Sequence, residues 1–137
     1  MITELSGFII VALTLYFEAA FEPIEAKIAI ANTIRNGANR AKITYAEECT
    51  KPKRFSCWNG NKRKEILDAY NTGILNKQRW EECKEVSLVL FDDRLPKQPF
   101  TNYYNPDLIK PNAKAWKWIK QMKNTKRIGS HIFGVLK

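Results

Sequence analysis

The sequence predicts a mainly α-helical single domain spanning all 137 residues, with long loops and little or no β-structure. Three observations carry this prediction. Apolar residues recur at helical spacing in several separate segments. Helix punctuation falls at their ends, with Pro23 in a first turn, Gly73 at a C-cap and Asn112 at an N-cap. A hydrophobic fraction of 45%, with 12% aromatic residues, is enough for a packed core and argues against disorder.

The first helix is predicted from Glu4 or Leu5 to Ala20. Its centre is the apolar run from Phe8 to Phe17, about ten residues bounded by glutamates, which suits a buried helix better than a membrane span. A second helix follows Pro23, from Ile24 to about Asn36. Ile24, Ile28, Ala31 and Ile34, with Ala29 and Ile30 beside them, give it a wide buried face. Small Ala26, Ala29 and Ala31 permit close packing against the first helix, and Gly37 and Asn39 close the element. Residues 40–61 read as irregular, with room for a helical turn at Tyr45–Cys49. A third helix is expected over Lys62–Asn71 and a fourth over Gln78–Phe91.

A long loop, Asp92–Pro111, is then broken by Pro96, Pro99, Pro106 and Pro111, and loops of this length in compact domains are usually functional. A last helix is expected from Asn112 to about Lys123, and the tail Lys126–Lys137 reads as a short extended segment or turn. No repeat or second domain is visible.

The formal charge of +9 draws the chain towards polyanions: nucleic acid, anionic lipid or cell-wall polymers bearing carboxylates or phosphates. A basic helical domain with interleaved tryptophans could bind nucleic acid, but no recognised motif supports a specific site. One histidine and three cysteines at unsuitable spacings give no metal site, and no cofactor motif is present. Cys49, Cys57 and Cys83 read as free thiols of a reducing cytosol, with a Cys49–Cys57 bridge as the alternative in an oxidising compartment. The N-terminus lacks a positive n-region and an Ala-x-Ala cleavage site, so no signal peptide is expected.

Without a metal, a nucleophile elbow or a phosphate loop, carboxylate chemistry remains. Glu18 closes the apolar run, with Leu15 and Phe21 three residues away and Thr14 and Glu22 four away on a helix. A carboxyl held against apolar side chains loses hydration of its charged form, and a like charge adds to the effect. Such a group can protonate a leaving oxygen, as the general acid of glycoside cleavage does. The alternative is a boundary glutamate, solvated or paired with lysine.

Two polar aromatic loops could accompany a sugar substrate: Phe55-Ser56-Cys57-Trp58-Asn59 and Asn102-Tyr103-Tyr104-Asn105-Pro106. In the other reading, Phe55 and Trp58 cap the core and the tyrosines anchor a loop. His131 is either a satisfied histidine near the core or a partner for a catalytic group, brought inward by a turn at Gly129. Lys114, Lys117, Lys120, Lys123, Lys126 and Arg127 form either a solvated face or a docking surface for an anionic polymer.

Five segments in order resemble the cortex-lytic (SleB-type) cell-wall hydrolases, a family found in spore germination and in phage endolysins. They are Tyr16-Phe17-Glu18-Ala19-Ala20-Phe21-Glu22-Pro23, Ala29 to Asn36, Arg54-Phe55-Ser56-Cys57, Tyr103-Tyr104-Asn105-Pro106 and Ile128-Gly129-Ser130-His131-Ile132-Phe133. Departures are Arg54 for the family's common Gln, Gly37 for its common Arg, Tyr104 for a frequent His, and Ala20-Phe21 for Arg-Gly.

The resemblance implies a lysozyme-like fold and cleavage of the MurNAc–GlcNAc β-1,4 bond, as a lytic transglycosylase that leaves a 1,6-anhydro sugar. A muramidase that uses water is the alternative. By the same resemblance Glu18 is catalytic; Glu22, Tyr104 and His131 are expected to support or orient it, and Phe55, Ser56, Trp58, Tyr103 and Asn105 of the two aromatic loops to contact substrate. The implied partner is peptidoglycan, approached by a monomer through its basic surface. The implied setting is a phage endolysin held in the host cytoplasm until release to the wall.

Overall fold

The computed structural model describes residues 5–136. Ser6 caps the first helix, α1 (Gly7–Ala19), by accepting the Ile9 N–H at 3.2 Å. The expected start at Leu5 is therefore two residues early, and the one at Glu4 lies outside the described residues. Ile10 to Leu15 are all buried, so α1 is surrounded and forms the centre of the domain. Helices α2 (Ile24–Ala41), α3 (Tyr45–Thr50) and α5 (Lys77–Phe91) pack around it. Helix α4 (Lys62–Thr72) reaches it through the helical turn Ser56–Trp58, where Trp58 Nε1 donates to Thr14 Oγ1 at 2.8 Å.

Helix α2 runs past its expected end at Asn36 to a left-handed cap at Lys42. Gly37 does not stop it, because it sits where α2 and α3 touch. A Cβ at Gly37 would collide with the buried Glu48 carboxylate. The same helix carries Asn32, Arg35 and Asn36 inward. Arg35 donates to the carbonyls of Leu95 and Pro96, and Asn36 to those of Gln98 and Phe100, both at 2.8 Å. Asn32 accepts the Gln98 N–H at 2.9 Å. These side chains satisfy backbone groups that a proline-broken segment cannot pair within itself, which holds residues 95–100 against the helix.

The fold class stands, with one addition. A small antiparallel sheet forms from part of the expected loop and from the tail expected to be extended, in the order β1 (Asn102–Tyr104), β3 (His131–Val135), β2 (Lys123–Ile128). Tyr103 pairs with Phe133 and Ile128 with His131. The predicted helix Asn112–Lys123 shrinks to one turn, α6 (Trp116–Ile119). Lysines at every third position imitate a helical face, but among the residues from 114 to 123 only Ile119 is buried. With so little apolar surface to bury, the helix does not extend beyond one turn, and from Lys123 onward the chain pairs with β3 instead. The exposed charges of β2, Lys123, Lys126 and Arg127, and an irregular register between Lys123 and Lys126, suit an edge strand. Lys137, the predicted end of the tail, lies outside the described residues.

No helix among the described residues is long and apolar enough to cross a membrane. No group of His, Cys, Asp and Glu among them could hold a metal ion.

Candidate active site

Glu18 is the penultimate residue of α1 and stands half-buried in an open cleft of about 840 Å³. The cleft lies between α1, the loop 51–56, the strand β1 and the segment that follows it. Glu18 is the one carboxyl group among its lining residues. Lys51, Lys53, Arg54 and His131 line it as well, so a single acid sits in a basic surround.

The Glu18 carboxylate is held from across the fold. Tyr103 Oη donates to its Oε1. The Tyr103 ring packs on Phe133 with centroids 5.2 Å apart, on Phe55 at 6.4 Å, and edge-on to His131 at 5.2 Å. Burial, reinforced by the Glu18 charge and their hydrogen bond, pushes the phenol's pKa well above its ordinary 10, so Tyr103 stays a donor. Burial and the same charge also raise the Cys57 thiol, which therefore stays neutral. Cys49 and Cys83 are pushed up to about 12 by burial, and all three cysteines are free and buried. None can serve as a thiolate nucleophile near neutral pH.

Glu22 lies in the turn between α1 and α2 and does not line the cleft. Its Oε1 accepts the Ser130 N–H at 2.8 Å, tying this turn to the β2–β3 turn. Burial opposes its charge, but hydrogen bonds from Ser130, with His131 and Lys27 nearby, outweigh that and hold its pKa below the usual value. Gly129 is needed at this junction for two reasons. Its φ is +61°, and a Cβ there would strike Glu22 Oε1.

His131 is 7% exposed and lines the cleft. Its Nδ1 is buried without a hydrogen-bond partner, 4.0 Å from Glu22 Oε1. Burial keeps its pKa below the ordinary 6.5, against the pull of Glu22 and then Glu18.

Two expected substrate contacts lie elsewhere. Phe55 and Trp58 are each 2% exposed and belong to the core, because Trp58 hydrogen-bonds Thr14 of the central helix and Phe55 lies beneath Tyr103. Ser56, Tyr103, Tyr104 and Asn105 do line the cleft. The two tyrosines, however, stand differently from what was expected. Tyr103, expected to touch sugar, touches Glu18. Tyr104, expected to orient the acid, turns to the other side of the strand, between Trp116 at 6.2 Å and Trp118 at 6.3 Å. Asn105 also accepts the Asp107 N–H at 3.0 Å, which starts the turn Pro106–Leu108.

Sequence reasoning missed Phe17, Trp118 and the basic stretch Lys51–Arg54 as cleft residues. A second tryptophan two residues after Trp116, behind a proline-rich loop, was the available signal for Trp118.

The sequence profile of the family described as Cell Wall Hydrolase matches residues 21–134. This chain belongs to the cell wall hydrolase family. The matched stretch begins just past Glu18 and contains Glu22, Arg54, Tyr103 and His131. Two solved structures share the fold. The catalytic domain of the germination-specific lytic transglycosylase SleB from Bacillus anthracis is 24% identical, with a TM-score of 0.66 over 96% of this chain and 98% of that one. The catalytic domain of the Bacillus cereus SleB protein is 23% identical, with a TM-score of 0.63 over 94% and 89%. The fold is the mainly helical, lysozyme-like one. No curated protein matches the chain in sequence.

Two of the departures from the family pattern meet in space. Gly37 packs on the Glu48 carboxylate, and Arg54 Nε donates to that carboxylate at 2.6 Å. Arg54 Nη2 also donates to the Thr33 and Thr101 carbonyls, at 3.2 and 2.9 Å. The guanidinium thereby joins α2, α3 and the approach to β1, and forms part of the cleft wall.

Proposed function

We propose that this cell wall hydrolase is a peptidoglycan glycosidase that cleaves the MurNAc–GlcNAc β-1,4 bond as a lytic transglycosylase, with Glu18 as the sole catalytic carboxyl. The observation that carries the reading is the absence of a second acid among the residues lining the cleft. A glycosidase that uses water as co-substrate ordinarily needs two carboxyl groups flanking the scissile bond. The transglycosylase route needs one. Glu18 protonates the glycosidic oxygen. As carboxylate it then takes the proton of the muramoyl C6 hydroxyl, whose oxygen closes on C1 to give the 1,6-anhydro sugar.

In this reading Tyr103 fixes the Glu18 carboxylate, and Tyr104, Trp118 and Phe17 offer flat apolar faces to pyranose rings. His131, edge-on to Tyr103, keeps that ring in place. Mass spectrometry of a peptidoglycan digest tests the route. Products 18 Da lighter than reducing muropeptides carry the anhydro ring, as the loss of one water requires. Reducing ends alone would assign a muramidase instead.

The biological setting we propose is host lysis by a phage endolysin, active as a monomer and held in the host cytoplasm until the membrane is breached. The charge of +9 supports it, since an anionic envelope would concentrate the released enzyme. Expression inside a bacterium, with and without a membrane-permeabilising agent, tests this. Lysis should require both.

A further inference from the structure

Beside the Glu18 cleft lies a second cavity of about 440 Å³, and the two share Lys51, Arg54, Asn102 and Leu136 as walls. The two are neighbours across that wall. The second is cationic: Arg40, Lys51 and Arg54 line it, against Glu48 alone. That carboxylate is engaged already, by Arg54 Nε at 2.6 Å and Lys51 Nζ at 2.8 Å. The Arg54 guanidinium is rigidly seated through Nε and Nη2, while its Nη1 has no acceptor among the described residues. Arg40 is exposed and has no ion-pair partner among them. Gly37 has no side chain to fill this space.

We propose that this compartment receives a carboxylate carried by the peptide substituent of a glycan strand. The inference rests on the reading of the chain as a peptidoglycan glycosidase. A fixed guanidinium edge with two flanking cations is suited to a carboxylate. The muramoyl residue carries its peptide close to the bond that Glu18 would cleave, so a compartment sharing a wall with the Glu18 cleft is within its reach. The site would favour peptide-bearing strands over bare ones and set the register in which they are cut.

The test compares three preparations of the same glycan strands: stems with free carboxylates, stems amidated at those carboxylates, and strands stripped of stems by an amidase. For the double variant Arg40→Gln, Lys51→Gln, kcat/KM on the free-carboxylate strands should fall about tenfold, mainly through KM, as expected for a lost charge-assisted contact. The preference for those strands over the other two preparations should shrink with it, and Arg40→Lys should retain most of it. An unchanged preference, or an equal fall on all three, would overturn the proposal. In a fourth preparation, strands that carry a phosphodiester polymer, a fall seen there alone would also overturn it, since the anion would then be phosphate. Affinity of the same strands for Glu18→Gln, with and without the double substitution, is measured alongside. If the wild-type chain cuts nothing but the double substitution still weakens binding of free-carboxylate strands, the compartment stands and only the glycosidase reading fails.

Discussion

Tyr103 donates its hydroxyl to Glu18, although 85 positions separate them along the chain. One belongs to a three-residue strand and the other to the end of the central helix, so the contact exists only if the small sheet docks on the helical body. The Glu18 carboxyl is therefore oriented by the sheet, from a strand far along the chain.

Glu18→Gln should fold normally and lose wall-clearing activity by several orders of magnitude, since it keeps the shape and removes proton transfer. Tyr103→Phe should lower kcat by about ten- to a hundredfold with little change in KM, because the acid stays and only its orientation is lost. Retention of a tenth of wild-type activity by Glu18→Gln in zymograms and soluble assays would rule out the assignment.

Glu22→Gln should lose less activity than Glu18→Gln, because its carboxylate serves the junction with Ser130 outside the cleft. Its melting temperature should drop, as an amide accepts the Ser130 N–H less strongly than a carboxylate does. Equal loss of activity at both glutamates would point to a two-carboxylate hydrolase.

Stability should decline in two steps on acidification. Burial holds the pKa of folded His131 below 6.5, so the neutral form is favoured in the fold. Its contribution is complete above 6.5 and is lost as pH falls towards the folded value. Glu22 has a folded pKa below 4.5, so its contribution is complete above 4.5 and is lost as pH falls through the folded value. Melting curves across pH should lose the first step in His131→Gln and the second in Glu22→Gln. Profiles parallel to wild type would refute both attributions.

Phe55 and Trp58 act on stability, in contrast to the sugar contacts expected of them. Trp58→Ala should cost about 3–5 kcal/mol through a core cavity. Trp58→Phe should cost about 1 kcal/mol for the lost Thr14 hydrogen bond, with further loss from imperfect filling. Tyr104→Ala should weaken substrate use more than it lowers the melting temperature. Chemical denaturation with parallel kinetics separates the two patterns, and the reverse outcome at Tyr104 would make that residue structural.

Activity on intact wall should fall as salt rises, while activity on a short soluble oligomer changes little, because screening acts mainly on exposed charges at long range. Lys114, Lys117, Lys120 and Lys123 are all exposed. Replacing the four together by glutamine should flatten the salt response on wall. Equal loss on both substrates would place these lysines in the fold or the cleft.

Local patterns carried the helical body. The run Phe8–Phe17 favoured a buried helix, which α1 is from Ile10 to Leu15, Pro23 and Gly73 marked real boundaries, and the glutamate at the end of that run does stand in the cleft. These features depend on neighbours three or four residues apart, so they are visible in one dimension. The extended tail was legible, but the strand β1 and its pairing, the shortened last helix and the different surroundings of Tyr103 and Tyr104 were not. A strand of three residues has no periodicity of its own, and β1 and β2 exist because β3 supplies their hydrogen bonds. The same holds for Arg54 and Gly37. Each looks like an isolated departure in sequence, and only packing shows that both answer to the buried carboxylate of Glu48. What the sequence determined by itself was the set of helices from α1 to α5 and the candidate carboxyl at the end of the first of them. The tertiary structure decided what holds that carboxyl and which aromatics face the cleft, because those contacts join residues that only the closed fold brings together.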